Sequence, residues 1–252
     1  MLLMFTVDTV NNFARYHDLL CQDKDYTGEA RFIRTLLRKY SPNARSILEV
    51  NCGTGYRSLL LAESGYERIH GIDRDAERID RGRERLQAVP LEIARKLRFD
   101  RSVTVRFEER FDVAFSLFHA INYPLKMGSL QAIFTAVKKH LSPEGTFVFD
   151  CWYGPPVLAD LPAVRVKRLE VEEILLDRAT GFGDSLDREF TRYQIENALE
   201  ELQNIHPTRY WFERELEDLF DRTGLQLIDR ALWMHENIAG FDTWGIYFIG
   251  KV

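Results

Sequence analysis

The run Ile47-Leu48-Glu49-Val50-Asn51-Cys52-Gly53-Thr54-Gly55 decides the fold of this chain. Its first four residues read as a short strand, the glycines make a turn, and Ser58 to Glu63 resumes helical spacing. Glycine permits positive φ and lets a ligand approach the backbone. The helix behind the turn aims unpaired N–H groups at its occupant, which favours a carboxylate or another anion. Working outward, Ile69 to Asp73 reads as a second strand, followed by a helix to about Leu86. A third strand is placed near Leu97-Arg98-Phe99 and a fourth over Phe111 to Phe118. A helix over Leu130 to Leu141 and a strand over Thr146 to Asp150 follow. Strands and helices alternating at this spacing predict right-handed βαβ units and a parallel sheet covered on both faces.

The flanks have a different texture. Phe13, Tyr16 and Leu20 fall at helical spacing, and Ala30, Phe32, Ile33, Leu36 and Leu37 make a second helix. Thr27 is expected to cap that helix and Pro42 to stop it. Beyond Pro155-Pro156, Val164, Val166, Leu169 and Val171 alternate with charge, which predicts antiparallel strands. Phe212 to Arg222 returns to a helix closed by Gly224, and Leu225 to Trp233 with Thr243 to Val252 predicts a final hairpin. The expected organisation is one α/β domain over 1–252. Residues 1–43 form a helical cover, 44–154 and 211–252 a Rossmann-like core, and 155–210 an antiparallel insertion on the substrate side.

A chain of 252 residues suits a single α/β domain. Hydrophobic residues at 45% and charged residues at 29% exclude a disordered or collagen-like protein. No apolar run approaches the ~20 residues of a membrane span, and the opening Met-Leu-Leu-Met-Phe is too short for a signal-peptide core. Cys21, Cys52 and Cys151 have no metal-ligand spacing, so no metal is expected and the thiols suit a reducing cytoplasm. The net charge of -5 argues against nucleic acid or an anionic membrane as a general partner.

Asp73 ends the second strand, where a carboxylate can accept hydrogen bonds from both ribose hydroxyls of an adenosine ligand. Two cofactor classes compete for such a turn. A dinucleotide turn needs a third glycine for helix packing, but Ser58 stands there, and Glu49 precedes the turn close to where phosphates would lie. An acidic residue suits a cationic ligand better. S-adenosylmethionine has no phosphate, carries a sulfonium and an ammonium, and presents a carboxylate to the turn. The plainer reading is a glycine turn that only joins strand to helix, with Asp73 as a strand-end cap.

With these residues the chain resembles the class I S-adenosylmethionine-dependent methyltransferases. Tyr16-His17-Asp18-Leu19-Leu20 and Lys24-Asp25-Tyr26 are similar to the start of the N,N-dimethyltransferases of nucleotide-linked amino sugars. Gly71-Ile72-Asp73, Ser116-Leu117-Phe118 and Asp150-Cys151-Trp152-Tyr153 add to that likeness, as does Phe241-Asp242-Thr243-Trp244-Gly245. It extends to methyltransferases of bacterial surface-polysaccharide clusters. The resemblance implies a seven-stranded, mostly parallel sheet with an antiparallel last strand, S-adenosylmethionine as cofactor and a nucleotide sugar as small-molecule partner; a homodimer is compatible with it. It places Asn51, Gly53 and Gly55 at the methionine end of the donor, Asp73 on the ribose and Asp100 against the adenine amino group. Leu117 would pass near the sulfonium, and Tyr16 and Tyr26 would cover the cofactor. Asn51 departs from the pattern by standing where the first glycine is usual.

Methyl transfer from a sulfonium mainly demands in-line placement of the acceptor, with a base to receive its proton. The resemblance puts Tyr123 at the position facing the acceptor, with His119 second; the plain alternatives are a packed tyrosine and a loop histidine. Trp152 and Tyr153 are candidates to stack on a sugar or base, or to pack in the core. Arg165 and Arg168, with Lys167, could hold a pyrophosphate or line the solvent face of a strand. The expected reaction is methylation of an amino group on a nucleotide-linked sugar, the alternative being a hydroxyl of a sugar, glycan precursor or small metabolite. A non-catalytic cofactor-binding protein is a third reading. Asn122-Tyr123-Pro124 has the wrong residue order for the Asp/Asn-Pro-Pro-Tyr motif of nucleic-acid amino-methyltransferases.

Overall fold

The computed structural model describes residues 24–102, 108–155, 165–171, 174–182, 188–196, 204–234 and 245–252, with side chains described at 24–102, 108–155, 208–234 and 245–252. Helix α1 (Tyr26–Tyr40) begins on Asp25, whose carboxylate accepts the Gly28 N–H at 2.7 Å. The expected cap, Thr27, lies inside the first turn. A carboxylate both accepts the N–H and complements the positive end of the helix, so Asp25 takes the position. Strand β1 (Ser46–Val50), helix α2 (Tyr56–Glu63), strand β2 (Arg68–Asp73), helix α3 (Ala76–Gln87) and the short α4 (Leu91–Ala94) follow, then β3 (Leu97–Arg101) and β4 (Phe111–Ser116). Helix α5 (Met127–His140) leads directly into β5 (Leu141–Trp152). That strand starts earlier than its apolar run at Thr146, because a bulge sets Leu141 opposite Phe111 and Thr146 opposite Val113.

Strands β6 (Arg165–Val171), β7 (Ile174–Phe182), β8 (Arg188–Glu196) and β9 (Asn204–Arg209) pair antiparallel in sequential order as a separate four-stranded sheet. Helix α6 (Glu213–Thr223) ends at Gly224 in the left-handed conformation, φ 67°, and β10 (Gln226–Leu232) and β11 (Gly245–Lys251) close the chain.

The main sheet has the order β10-β11-β5-β4-β1-β2-β3. The pairs β3·β2, β2·β1, β1·β4 and β4·β5 are parallel, and β11 runs antiparallel to both β5 and β10. This is the expected Rossmann-like sheet with its antiparallel last strand. All five residues of β1 are buried, as a strand covered on both faces requires. Two-residue alternation divides the core. Phe147, Phe149 and Cys151 of β5 pack with Phe134 of α5 and Phe220 of α6, whereas Val148 joins Ile33, Leu37, Leu61 and Ile79 on the α1, α2 and α3 side. Phe134 lies edge-on to Phe147 and Phe149, each at 5.1 Å, and Phe149 stacks on Phe248 at 5.0 Å. From β1 the chain proceeds outward to β2 and β3 on one side, then returns to β4 and β5 on the other. The crevice beyond the carboxyl ends of β1 and β4 is the topological switch point, where open α/β sheets place ligands.

Candidate active site at the carboxyl ends of the central strands

The loop leaving β1 alternates left-handed residues, with Asn51 at φ 61°, Gly53 at 59° and Gly55 at 69°. Asparagine tolerates this conformation better than other non-glycine residues, so Asn51 serves at the place of the usual first glycine. The turn is tied to β2 twice. Cys52 N–H donates to the Ile72 carbonyl at 3.0 Å, and Gly53 N–H donates to Asp73 Oδ2 at 2.9 Å. Asp73 Oδ1 accepts the Asp75 N–H at 3.0 Å, and Asp75 in turn caps α3. A Cβ on Gly53 would meet nothing within 4 Å, so this face of the turn is open.

The other face is packed against one ring. A Cβ on Gly55 would lie 2.3 Å from Phe99 Cζ, one on Gly71 2.7 Å from Phe99 Cδ1, and one on Gly82 3.3 Å from its Cδ2. Gly55 follows β1, Gly71 lies in β2 and Gly82 in α3, so three elements give up their side chains to seat Phe99 of β3. Nothing in the glycine spacing singles out Phe99 beforehand.

Alternation turns Glu49 of β1 and Asp150 of β5 to the α1 and α2 side, where they meet a buried chain of charges. Arg57 of α2 donates from Nε to Glu49 Oε1 at 2.9 Å and from a terminal nitrogen to Glu29 Oε2 at 3.0 Å. Ser58 donates to the other Glu49 oxygen, and Lys24 reaches Glu29 at 3.2 Å. Burial works against the Arg57 charge, but Glu49 and Glu29 overcome that and hold its pKa above the ordinary value. Burial raises the Glu49 carboxyl, and Arg57 and Ser58 oppose the shift. Lys24, over the Phe118 ring at 3.4 Å, is lowered to about 8 by burial and by Arg57.

Beyond β4, Phe118 and His119 adopt φ 64° and 55°, and a single 3-10 turn (Ala120–Asn122) follows. His119 lies against β5: its N–H donates to Asp150 Oδ1 at 3.1 Å, Nδ1 is 3.1 Å from Oδ2, and its ring stacks on Trp152 at 3.9 Å. Burial pushes the Asp150 carboxyl up to about 6 against the opposing pull of the His119 N–H, Arg57 and Lys24. A raised folded-state pKa means the native state binds the extra proton between pH ~4 and ~6, so stability falls as pH rises through that window. Asp150→Asn should remove this slope and raise the unfolding free energy at pH 7.5 by about 1–3 kcal/mol, scaled from ~1.4 kcal/mol per pKa unit. Urea unfolding at pH 4, 6 and 7.5 measures it; an unchanged slope refutes the assignment.

The structure therefore brings Asn51, Gly53, Gly55, Asp73, Leu117, His119 and Trp152 to the carboxyl ends of the central strands. Tyr26 packs edge-on to Tyr56 at the start of the turn helix, with ring centroids at 5.0 Å. Leu117 is buried, and Tyr123 ends the 3-10 turn with 40% of its surface exposed. Three expectations are corrected. Glu49 is fully buried, and Arg57 and Ser58 take its carboxylate from beneath the turn. Asp100 is turned away from Phe99 by strand alternation and joins His70 at 2.9 Å and Arg98 at 2.6 Å. Tyr153 is buried, and its hydroxyl donates to Glu213 at 3.1 Å. Positions 165 and 168 lie in β6 on opposite faces, since residues three apart in a strand alternate, and their side chains lie outside the described residues. Tyr16 lies outside them as well. Asp150 and Asn122 drew no site role from the sequence; the buried Asn122 amide exchanges hydrogen bonds with the Trp152 backbone, accepting at 2.9 Å and donating at 3.3 Å. Among the described residues no cluster of histidine, cysteine, aspartate and glutamate is arranged to hold a metal, and no helix is long and apolar enough to cross a membrane.

Residues 47–145 match a family model described as a methyltransferase domain. The chain is 24% identical over 228 residues to the dTDP-3-amino-3,4,6-trideoxy-alpha-D-glucopyranose N,N-dimethyltransferase of Streptomyces venezuelae, covering 89% of this chain and 92% of that one. It is 29% identical over 150 residues to the dTDP-3-amino-3,6-dideoxy-alpha-D-glucopyranose N,N-dimethyltransferase of Streptomyces fradiae, covering 59% and 56%. Among solved structures, an S-adenosylmethionine-dependent methyltransferase from Clostridium acetobutylicum superposes with a TM-score of 0.79 at 19% identity, over 96% of this chain and 98% of that one. A sugar N-methyltransferase from Streptoalloteichus superposes with a TM-score of 0.74 at 21% identity, over 93% and 92%.

Proposed function

We propose that this chain, an S-adenosylmethionine-dependent methyltransferase, moves the methyl group onto an amino group of a nucleotide-linked sugar. The residues fit the donor. Gly53 leaves its side of the turn open, the Asp73 carboxylate stands beside it, and the positive end of α2 lies behind. In this reading Asn51, Gly53 and Gly55 hold the methionine end, Asp73 takes the ribose hydroxyls, and Tyr26 and Leu117 bound the pocket. When bound, S-adenosylmethionine supplies a methyl carbon already activated by the sulfonium, so the chain must place the acceptor and receive its proton. His119 and Tyr123 flank the 3-10 turn beyond β4, and in this reading they face the acceptor with Trp152, whose ring stacks on His119, beside them.

The observation that carries the reading is the Asp73-bridged turn at the carboxyl end of β1, with the Asp150–His119 pair near the carboxyl ends of the neighbouring β4 and β5. The buried thiols of Cys52 and Cys151 suit a reducing cytoplasm, and assembly of bacterial surface polysaccharide is the use we propose for the product. Asp73→Asn should weaken donor binding by about 1–3 kcal/mol, the range for stranding a hydrogen-bonded partner. Calorimetry with S-adenosylmethionine measures this, and an unchanged Kd removes Asp73 from the site. The acceptor is tested by donor consumption against a panel of dTDP- and UDP-linked amino sugars and their hydroxyl counterparts. Turnover of amino sugars alone supports the proposal. Turnover of the hydroxyl forms, or of neither, overturns it.

A further inference from the structure

We propose that Asp150 is the positioning residue that holds His119 in the tautomer and orientation of a general base. The inference rests on the methyl-transfer reading above and starts from backbone conformation. Phe118 and His119 are consecutive non-glycine residues at positive φ, a conformation that persists only where the surroundings over-determine it. Those surroundings are on β5. One carboxylate meets His119 at two points: Oδ1 accepts the backbone N–H at 3.1 Å, and Oδ2 lies 3.1 Å from Nδ1, at ion-pair distance but off the line of a hydrogen bond. Trp152, two residues further along the strand, stacks on the same ring. Asn122 binds the Trp152 backbone, and the Trp211 indole N–H donates to the Ile121 carbonyl at 2.9 Å. The loop is thus clamped at both ends, and Asp150, 1% exposed, sits within a long central strand.

An ionised carboxylate can only accept hydrogen bonds. A lone pair on Nδ1 would face that negative charge at 3.1 Å, so the charge favours the proton on Nδ1, and in the neutral ring the lone pair then lies on Nε2. Burial raises the Asp150 carboxyl to about 6 and the His119 N–H, Arg57 and Lys24 oppose that rise, so at pH 7.5 the carboxylate form prevails. An acceptor ammonium transfers one proton to Nε2 and becomes the free amine. The amine lone pair forms the C–N bond as the C–S bond breaks, and sulfur keeps the electron pair as a neutral thioether. The imidazolium faces the Asp150 charge until it returns its proton to water.

The test uses the full chain with histidines labelled in 13C and 15N, the His119 signal being assigned by its loss in His119→Gln. Long-range proton–nitrogen spectra at pH 7.5 read the tautomer directly. We expect Nδ1–H in the unaltered chain and a mixture in Asp150→Asn. With an amino sugar that is turned over, Asp150→Asn should lower kcat roughly 10–100-fold, as loss of a histidine's orienting partner does. KM and the donor Kd should stay within about threefold, a split that damage to the fold alone would not produce. The Nε2–H tautomer in the unaltered chain, an unchanged kcat, or a parallel loss of donor affinity would overturn the proposal. If no amino sugar is turned over, the acceptor reading fails, while the tautomer still decides the role of Asp150. If Asp150→Asn does not fold, the spectrum of the unaltered chain decides it.

Discussion

Arg57→Met will cost the fold about 3–5 kcal/mol, the range for removing one partner of a buried ion pair. Methionine replaces most of the arginine stem, so the loss is of charge rather than volume. Glu49 has no exposed surface and Glu29 has 5%; without Arg57 both remain in the interior, with Lys24 at 3.2 Å from Glu29. The Glu49 carboxyl, already raised by burial, loses the group that opposed the shift and rises further. The native state then binds a proton that the unfolded chain has shed, so the penalty grows with pH. Denaturant unfolding should show a larger deficit at pH 8 than at pH 5, and Arg57→Met/Glu49→Gln should recover part of it. Equal deficits at the two pH values, or a double variant no better than the single, would show that the charge is not the cause.

Gly55→Ala should be nearly as severe, at about 2–5 kcal/mol, from two separable causes. The left-handed backbone at φ 69° costs an alanine ~1–2 kcal/mol. The added methyl would also meet Phe99 at 2.3 Å, and overpacking of a filled core costs typically ~1–3 kcal/mol. Gly53→Ala shares the first cause and lacks the second, because its Cβ points into open space. It should therefore lose only ~1–2 kcal/mol of stability, while its methyl projects from the open face of the turn. Phe99→Leu in the Gly55→Ala background should return the packing share. A Gly55→Ala variant no less stable than Gly53→Ala would remove Phe99 from this account.

Much of the fold was legible because its signals are local. Strand and helix periods, the glycine turn, Asp73 at a strand end and Gly224 at a helix end are each set by a few neighbouring residues; among the described residues the elements stand where the pattern implies, apart from shifted ends such as the early start of β5. The Thr27 cap failed narrowly, because Asp25, two residues earlier, accepts the Gly28 N–H and starts the helix there. Asp100 failed for a different reason. Its neighbour Phe99 faces the turn, and alternation sends Asp100 to the opposite side with His70 and Arg98. The sequence holds that alternation, but not which face of an edge strand looks towards the ligand.

By itself the sequence determined the βαβ units of a parallel sheet covered on both faces, the late strand pair that ends it, and the turn fit for a nucleoside-bearing cation. Periodicity and turn chemistry act over a handful of residues, so they survive without a partner. Only the tertiary structure decided that Asp150 faces His119, that Glu49 is held by Arg57 instead of facing the crevice, and that three glycines make room for one phenylalanine. Each of these joins groups from different strands or helices. Their meeting depends on register and sheet order, which hydrophobic pattern constrains by face but does not specify by partner.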